Sequence, residues 1–141
     1  MLQIEACTEP TDDLRDLVAE YEASLPGDLR HGSLEPFEVA FVARLDGVPA
    51  GCVALERHEP SRAILKRLFV RPGFRKHGVA RALIDALIER ARADGYGRVA
   101  LDTNRERLEP AYRLYRALGF REVDPYAEVS YRCPTFMELT L

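Results

Sequence analysis

The sequence predicts an α/β fold, and three observations predict it. Residues 39 to 70 carry three short apolar runs separated by turn signals, the pattern of an antiparallel meander. From Val79 the apolar period lengthens to that of a helix. A strand and a second helix follow, so the middle β-α-β segment reads as a right-handed parallel crossover.

The elements can be justified in order. Leu2 to Ala6 reads as a short first strand. Pro10 to Ala23 reads as a helix, with Leu14, Leu17, Val18 and Tyr21 on one face and Thr8 or Thr11 available as its cap. Residues 24 to 36 contain Pro26, Gly27, Gly32 and Pro36, and read as an irregular loop able to lie over a substrate site. Val39 to Leu45, Val48 to Arg57 and Ala63 to Val70 are three strands, joined by the hairpin signal Asp46-Gly47 and a turn near Glu59-Pro60-Ser61. Val79 to Ala93 is a helix with Leu83, Ile84, Leu87 and Ile88 on its apolar face, ended by Asp94-Gly95. Val99 to Thr103 is a strand, and Pro110 opens a helix closed by Gly119. Arg121 to Val123 and Phe136 to Leu141 complete the order β-α-(α)-β-β-β-α-β-α-β-β, with the bracketed helix optional.

Chemistry concentrates at the junction Leu68-Phe69-Val70-Arg71-Pro72-Gly73-Phe74-Arg75-Lys76-His77-Gly78-Val79-Ala80-Arg81. A strand runs into a basic loop and then a helix N-terminus. Free N–H groups and the positive end of a helix dipole favour an anion there. Gly78 lets a phosphate approach the backbone, and Arg75, Lys76, His77 and Arg81 surround it with positive or protonatable groups. A solvated basic loop before a surface helix is the alternative at this point.

Composition limits the classes of function. With 141 residues, 47% of them apolar and 30% charged, the chain fits one globular domain. A net charge of -3 argues against a nucleic-acid binder. The sequence has no apolar run of the ~20 residues a membrane span needs, and its start, Met1-Leu2-Gln3-Ile4-Glu5, lacks a signal-peptide layout. A cytoplasmic location is the expectation. Cys7, Cys52 and Cys133 are odd in number and far apart, so neither a disulfide framework nor a zinc site is expected, and Cys52 reads as a buried strand residue.

Two motifs give the chain a family resemblance. Arg75-Lys76-His77-Gly78-Val79-Ala80, between a strand and a helix, resembles the cofactor motif of the GNAT acetyltransferase superfamily. Ala111-Tyr112-Arg113-Leu114-Tyr115-Arg116-Ala117-Leu118-Gly119-Phe120 resembles its second signature, an aromatic before Leu-Gly-Phe. The strand order agrees from Leu2 to Leu141. Lys66 to Pro72, Leu101-Asp102-Thr103 and Met137-Glu138-Leu139 more loosely resemble a bacterial subgroup of small single-domain members. The resemblance implies a mixed, mostly antiparallel sheet of about six to seven strands with helices on both faces.

The resemblance also implies roles. Backbone groups of Leu68, Phe69 and Val70 would pair with the pantetheine arm of acetyl-CoA like an added strand. Backbone N–H groups from Lys76 to Arg81, Gly78, Val79 and Ala80 among them, would hold the pyrophosphate. The strand at Val99 to Thr103 would splay from Ala63 to Val70, leaving a gap for the thioester. Tyr115 aligns with the tyrosine that protonates the leaving thiolate; Tyr112, one turn earlier, does not match the motif, and by spacing alone Tyr115 is equally a core aromatic.

Two departures stand out. Where many members carry an Asn before the second helix, this chain has Leu108, with Asn104 as a replacement; where many carry a Glu base, Ala63 to Lys66 has no carboxylate. Glu56 and Asp102 are candidates for the base or for binding a cationic acceptor, and each is equally readable as a surface carboxylate or an ion pair with Arg57 or Lys66. His31 and His58 are titratable groups without an assigned place.

The expected activity is transfer of acetyl from acetyl-CoA to a primary amine of a small molecule, by direct attack in a ternary complex, with no metal. Neither nucleic acid nor membrane is an expected partner, and a monomer or homodimer is expected. The alternatives are a protein lysine or N-terminal acetyltransferase, and a non-catalytic acyl-CoA-binding module. Tyr126, Tyr131 and Arg132 are candidates to line the acceptor site or to pair with another subunit.

Overall fold

The computed structural model of the protein describes residues 1–30, 34 and 36–141. Seven strands form one sheet: β1 (Leu2–Cys7), β2 (Val39–Leu45), β3 (Val48–Glu59), β4 (Arg62–Val70), β5 (Arg98–Thr103), β6 (Arg121–Val123) and β7 (Thr135–Thr140). Their spatial order is β1-β2-β3-β4-β5-β7-β6. Every neighbouring pair is antiparallel except β4 and β5. The expected mixed sheet and its crossover are therefore both present, and β1 extends the meander to four strands.

Among the described residues three α-helices cover the sheet: α1 (Asp12–Ser24), α2 (Val79–Ala93) and α3 (Glu109–Ala117). Alternation along the strands feeds two cores. Val39, Phe41, Val53, Leu55, Ala63 and Leu65 face α2 with Leu83, Ile84 and Leu87, in a cluster that also holds Tyr115 of α3. Ala40, Val42, Cys52, Ala54 and Phe69 face α1 with Leu14, Leu17 and Val18. So α1 lies on one face and α2 and α3 on the other. Cys52 is fully buried, as its apolar strand predicts.

Boundaries differ from expectation at a few ends, each for a local reason. The first helix begins at Asp12, because Thr11 is extended and its hydroxyl accepts from the Leu14 N–H at 3.2 Å. β3 runs on to Glu59 and leaves only Pro60 and Ser61 for the turn into β4. The optional second helix is a single 3-10 turn, Gly27–Leu29. The rest of the predicted 24-to-36 loop falls partly outside the described residues, and so does His31.

One irregularity shapes the centre of the sheet. The β3–β4 register runs Cys52↔Phe69 and then Ala54↔Lys66, so β4 carries an extra residue. Arg67 occupies the bulge with φ 60°, a left-handed conformation uncommon outside glycine. The bulge turns two successive side chains, Lys66 and Arg67, away from the α2 core. Before it, Ala63 and Leu65 point to α2; after it, Leu68 and Val70 do.

Candidate active site

The β4–β5 pairing is short. It covers only Arg62↔Arg98, Ala63↔Val99 and Ile64↔Ala100. Beyond Ile64, β5 continues to Thr103 against β7, and the two parallel strands part. The edge of β4 from Leu65 to Val70 therefore faces a gap, with backbone groups open to an added strand. A cavity of about 100 Å³ occupies the gap, bounded by Lys66, Arg67, Leu68, Asp102, Leu108 and Tyr115, with Tyr21, Leu29 and Tyr131 on the α1 side.

At the end of β4 the chain turns through Pro72–Phe74 into α2. Gly78 is the cap residue of α2, with φ 75°, and no side chain caps the helix. The first bond across it is Ala82 N–H to Gly78 O, 3.0 Å. The N–H groups of Val79, Ala80 and Arg81 thus lie outside the helical ladder. Lys76 also has positive φ, 68°. Alternating handedness of this kind points successive N–H groups into one concavity. A Cβ on Gly78 would meet nothing within 4 Å, so the space beside it is open. Arg75, Lys76, His77 and Arg81 are exposed around this turn. Arg75 Nε donates to Val70 O at 3.3 Å, and Arg81 stands 4.0 Å from Asp85. Arg71 braces the loop against α1, donating to both carboxylate oxygens of Glu20 at 2.9 and 2.6 Å.

Tyr115 is buried, packs on Phe120 with ring centroids 5.6 Å apart, and borders the cavity. Among the described residues its hydroxyl has no hydrogen-bond partner. Tyr112, one turn earlier, is instead bonded to Glu122 at 2.7 Å, away from the cavity. Asp102 borders the cavity and accepts from the Tyr131 hydroxyl at 2.6 Å; Tyr131 also donates to Thr103 O at 3.1 Å. The other candidate carboxylate, Glu56, does not line the cavity. It sits 3.3 Å from Lys66, the ion pair that the sequence allowed. Leu68 borders the cavity and Val70 is half-buried, whereas the Phe69 side chain turns to α1 and meets Tyr21 at 5.8 Å.

Two sequence expectations need correction. Asn104 is no substitute cofactor contact: its Oδ1 accepts from the Glu106 and Arg107 N–H groups and its Nδ2 donates to Arg132 O, so the side chain is spent on the turn before α3. Tyr126 does not border the cavity: it stacks edge-on against Phe136 at 4.9 Å and His58 at 5.4 Å. Conversely, Leu108, to which the sequence assigned nothing, lines the cavity. Lys66, Arg67 and Tyr21 do so too. The only sequence signal for the first two was a pair of adjacent charges inside an alternating strand.

Burial sets the titration of this region. It pushes Tyr21 up to about 12 and also raises Tyr115, Tyr126 and Tyr131, the last reinforced by its hydrogen bond to Asp102. Each stays protonated at neutral pH. In the unfolded chain these phenols ionise near ~10. Above that pH the unfolded state has fewer protons than the folded one, so stability falls as pH rises. Phenolate absorbance for these four is expected to appear together with loss of circular dichroism. Titration near pH ~10 with the fold intact would contradict their burial.

The sequence matches the Acetyltransferase (GNAT) family over residues 2–120. The chain belongs to this family. An uncharacterized N-acetyltransferase of Schizosaccharomyces pombe is 33% identical over 129 residues, covering 82% of this chain and 78% of that one. Human N-acetylaspartate synthetase is 37% identical over 89 residues, covering 62% of this chain but only 29% of the larger protein. A Bacillus subtilis acetyltransferase in complex with CoA superposes with TM-score 0.77 at 23% identity, over 100% of this chain and 99% of that one, and shows the shared fold. The GNAT fold, and with it an acyl-CoA-dependent N-acetyltransferase, is thereby established. No helix among the described residues is long and apolar enough to cross a membrane.

Proposed function

We propose that this GNAT enzyme transfers acetyl from acetyl-CoA to a primary amine of a small molecule, by direct attack in a ternary complex. One observation carries the reading: the β4–β5 gap brings an open strand edge, Tyr115 and Asp102 to one cavity. The groups around it fit the cofactor. Val79, Ala80 and Arg81 would give their N–H groups to the pyrophosphate, with Arg75, Lys76 and His77 alongside. The edge from Leu68 to Val70 would pair with the pantetheine arm.

Acetyl-CoA supplies an activated carbonyl and a thiolate leaving group. The amine nitrogen attacks that carbonyl, the N–C bond forms and the C–S bond breaks. A main-chain N–H of the Leu68-to-Val70 edge stabilises the developing oxyanion. Tyr115 gives its proton to the departing sulfur, and Asp102 receives the proton lost by the amine. The cavity is compact, with Leu29 and Tyr131 in its lining, which favours a small acceptor over a protein chain.

Calorimetry and thiol release test this together. Wild type is expected to bind acetyl-CoA and to release thiol only when an amine is present. Gly78→Val crowds the phosphate position and forces a branched side chain to positive φ. It is expected to weaken acetyl-CoA binding about tenfold or more, ~1.4 kcal/mol. Unchanged affinity would remove this turn from the cofactor site.

A further inference from the structure

Tyr131 borders the cavity yet takes no part in the transfer steps. It belongs to the segment between β6 and β7, and its ring is buried there. With Leu25 and Leu29 it forms a small cluster of its own, against which Tyr21, Leu108 and Val129 pack. Its hydroxyl lies 2.6 Å from Asp102 Oδ2 and 3.1 Å from Thr103 O. A phenol has one proton to give, and the closer, charged acceptor takes the larger share of it. Among the described residues Asp102 forms no ion pair, and its Oδ1 accepts no hydrogen bond.

Segments far apart in the chain seat this phenol. Asn104 Nδ2 donates to Arg132 O at 3.3 Å and reaches Cys133 O at 3.5 Å, which ties the backbone just after Tyr131 to the end of β5. Arg107 donates to both carboxylate oxygens of Asp28 at 2.8 Å. The residues next to that pair, Leu29 and Leu108, belong to the cluster around the ring. A peg for the loop needs only the buried ring and the bond to Thr103 O. The closer bond, to a carboxylate at the cavity, adds something else: it restrains a side chain that would otherwise turn freely.

We propose that Tyr131 is a positioning residue: its hydroxyl holds Asp102 by Oδ2, so that Oδ1 is presented to the proton of the attacking amine. This rests on the reading of Asp102 as the proton acceptor and adds a residue to it. As the N–C bond forms and the C–S bond breaks, the amine proton passes to Oδ1, and Tyr131 keeps its own. Burial, and then the bond to Asp102, hold that phenol protonated well above neutral pH. A base held in line with the proton it takes loses less of its effect to misaligned encounters.

A double-mutant cycle tests this, with thiol release measured for n-butylamine, spermidine and glycine. Tyr131→Phe keeps the ring in its cluster and removes only the hydroxyl. It is expected to lower kcat about 10- to 30-fold, with acetyl-CoA affinity kept. Asp102→Asn alone is expected to lower kcat about 100-fold. Adding Tyr131→Phe to it is expected to change kcat by less than about twofold. A hydroxyl that only pins the loop acts equally in both backgrounds. Additive losses, or an unchanged kcat in Tyr131→Phe, would therefore overturn the inference and leave the acetyltransferase intact. An unchanged kcat in Asp102→Asn would overturn the proton-acceptor assignment and this inference with it, as would no thiol release with any of the three amines. Should Tyr131→Phe fail to fold, proton NMR of the wild type is the second measurement. A hydroxyl proton protected from exchange, and lost in Asp102→Asn, is expected; its absence from the wild type would overturn the inference.

Discussion

Tyr115→Phe is expected to lower kcat about 100- to 1,000-fold while changing acetyl-CoA affinity by less than about threefold. The argument is local. The Tyr115 ring fills core space against Phe120 and the α2 cluster, and phenylalanine keeps that ring. Its hydroxyl bonds to none of the described residues, so removing it orphans no buried partner. Stability should hold or rise slightly. Burial holds the phenol neutral, so it can donate to sulfur throughout the physiological range. Thiol-release kinetics and calorimetry on both proteins measure the two quantities separately. An unchanged kcat would make Tyr115 a core aromatic and send the search for the acid elsewhere. Tight acetyl-CoA binding with no turnover in either protein would favour a binding module.

Gly51→Ala is expected to cause the largest loss of stability, about 3 kcal/mol. A Cβ at Gly51 would lie 2.5 Å from Phe69 O, with Val70 Cα at 3.2 Å and Val70 Cγ2 at 3.3 Å. The first contact is backbone, which no rotamer change relieves. Gly51 pairs with Val70, so the end of β4 must move off β3. That end is the Leu68-to-Val70 edge assigned to the pantetheine arm, so acetyl-CoA binding should weaken too. A thermal melt should show Tm falling by roughly 10 °C. Gly27→Ala is the control, since its Cβ would meet nothing within 4 Å. A Gly51→Ala melt matching wild type would mean that β3 and β4 separate there without cost.

Much of the fold was legible in the residues because its causes are local. Apolar period, Asp-Gly and Gly signals, and Pro110 depend on neighbours a few positions away, and they placed the strands and α-helices found among the described residues. The turn proposed for the cofactor was legible for the same reason: Gly78, its basic neighbours and the helix start are one continuous segment. The choice of Tyr115 over Tyr112 came from a motif, and the fold puts only Tyr115 at the cavity.

What the tertiary structure alone decided is everything that depends on where β4 and β5 part. The bulge at Arg67 shifts the alternation by one residue, and no period of two shows which charge the sheet will bury. Asp102 and Glu56 look alike in sequence; the register sets one at the cavity and gives the other to Lys66. Asn104 looks like a cofactor ligand until the turn before α3 takes up its hydrogen bonds. Segments carry their own conformational preferences, so a sequence reports its elements directly. A cavity is a difference between two strands far apart in the chain, and only their packing against α1, α2 and α3 fixes which side chains meet in it.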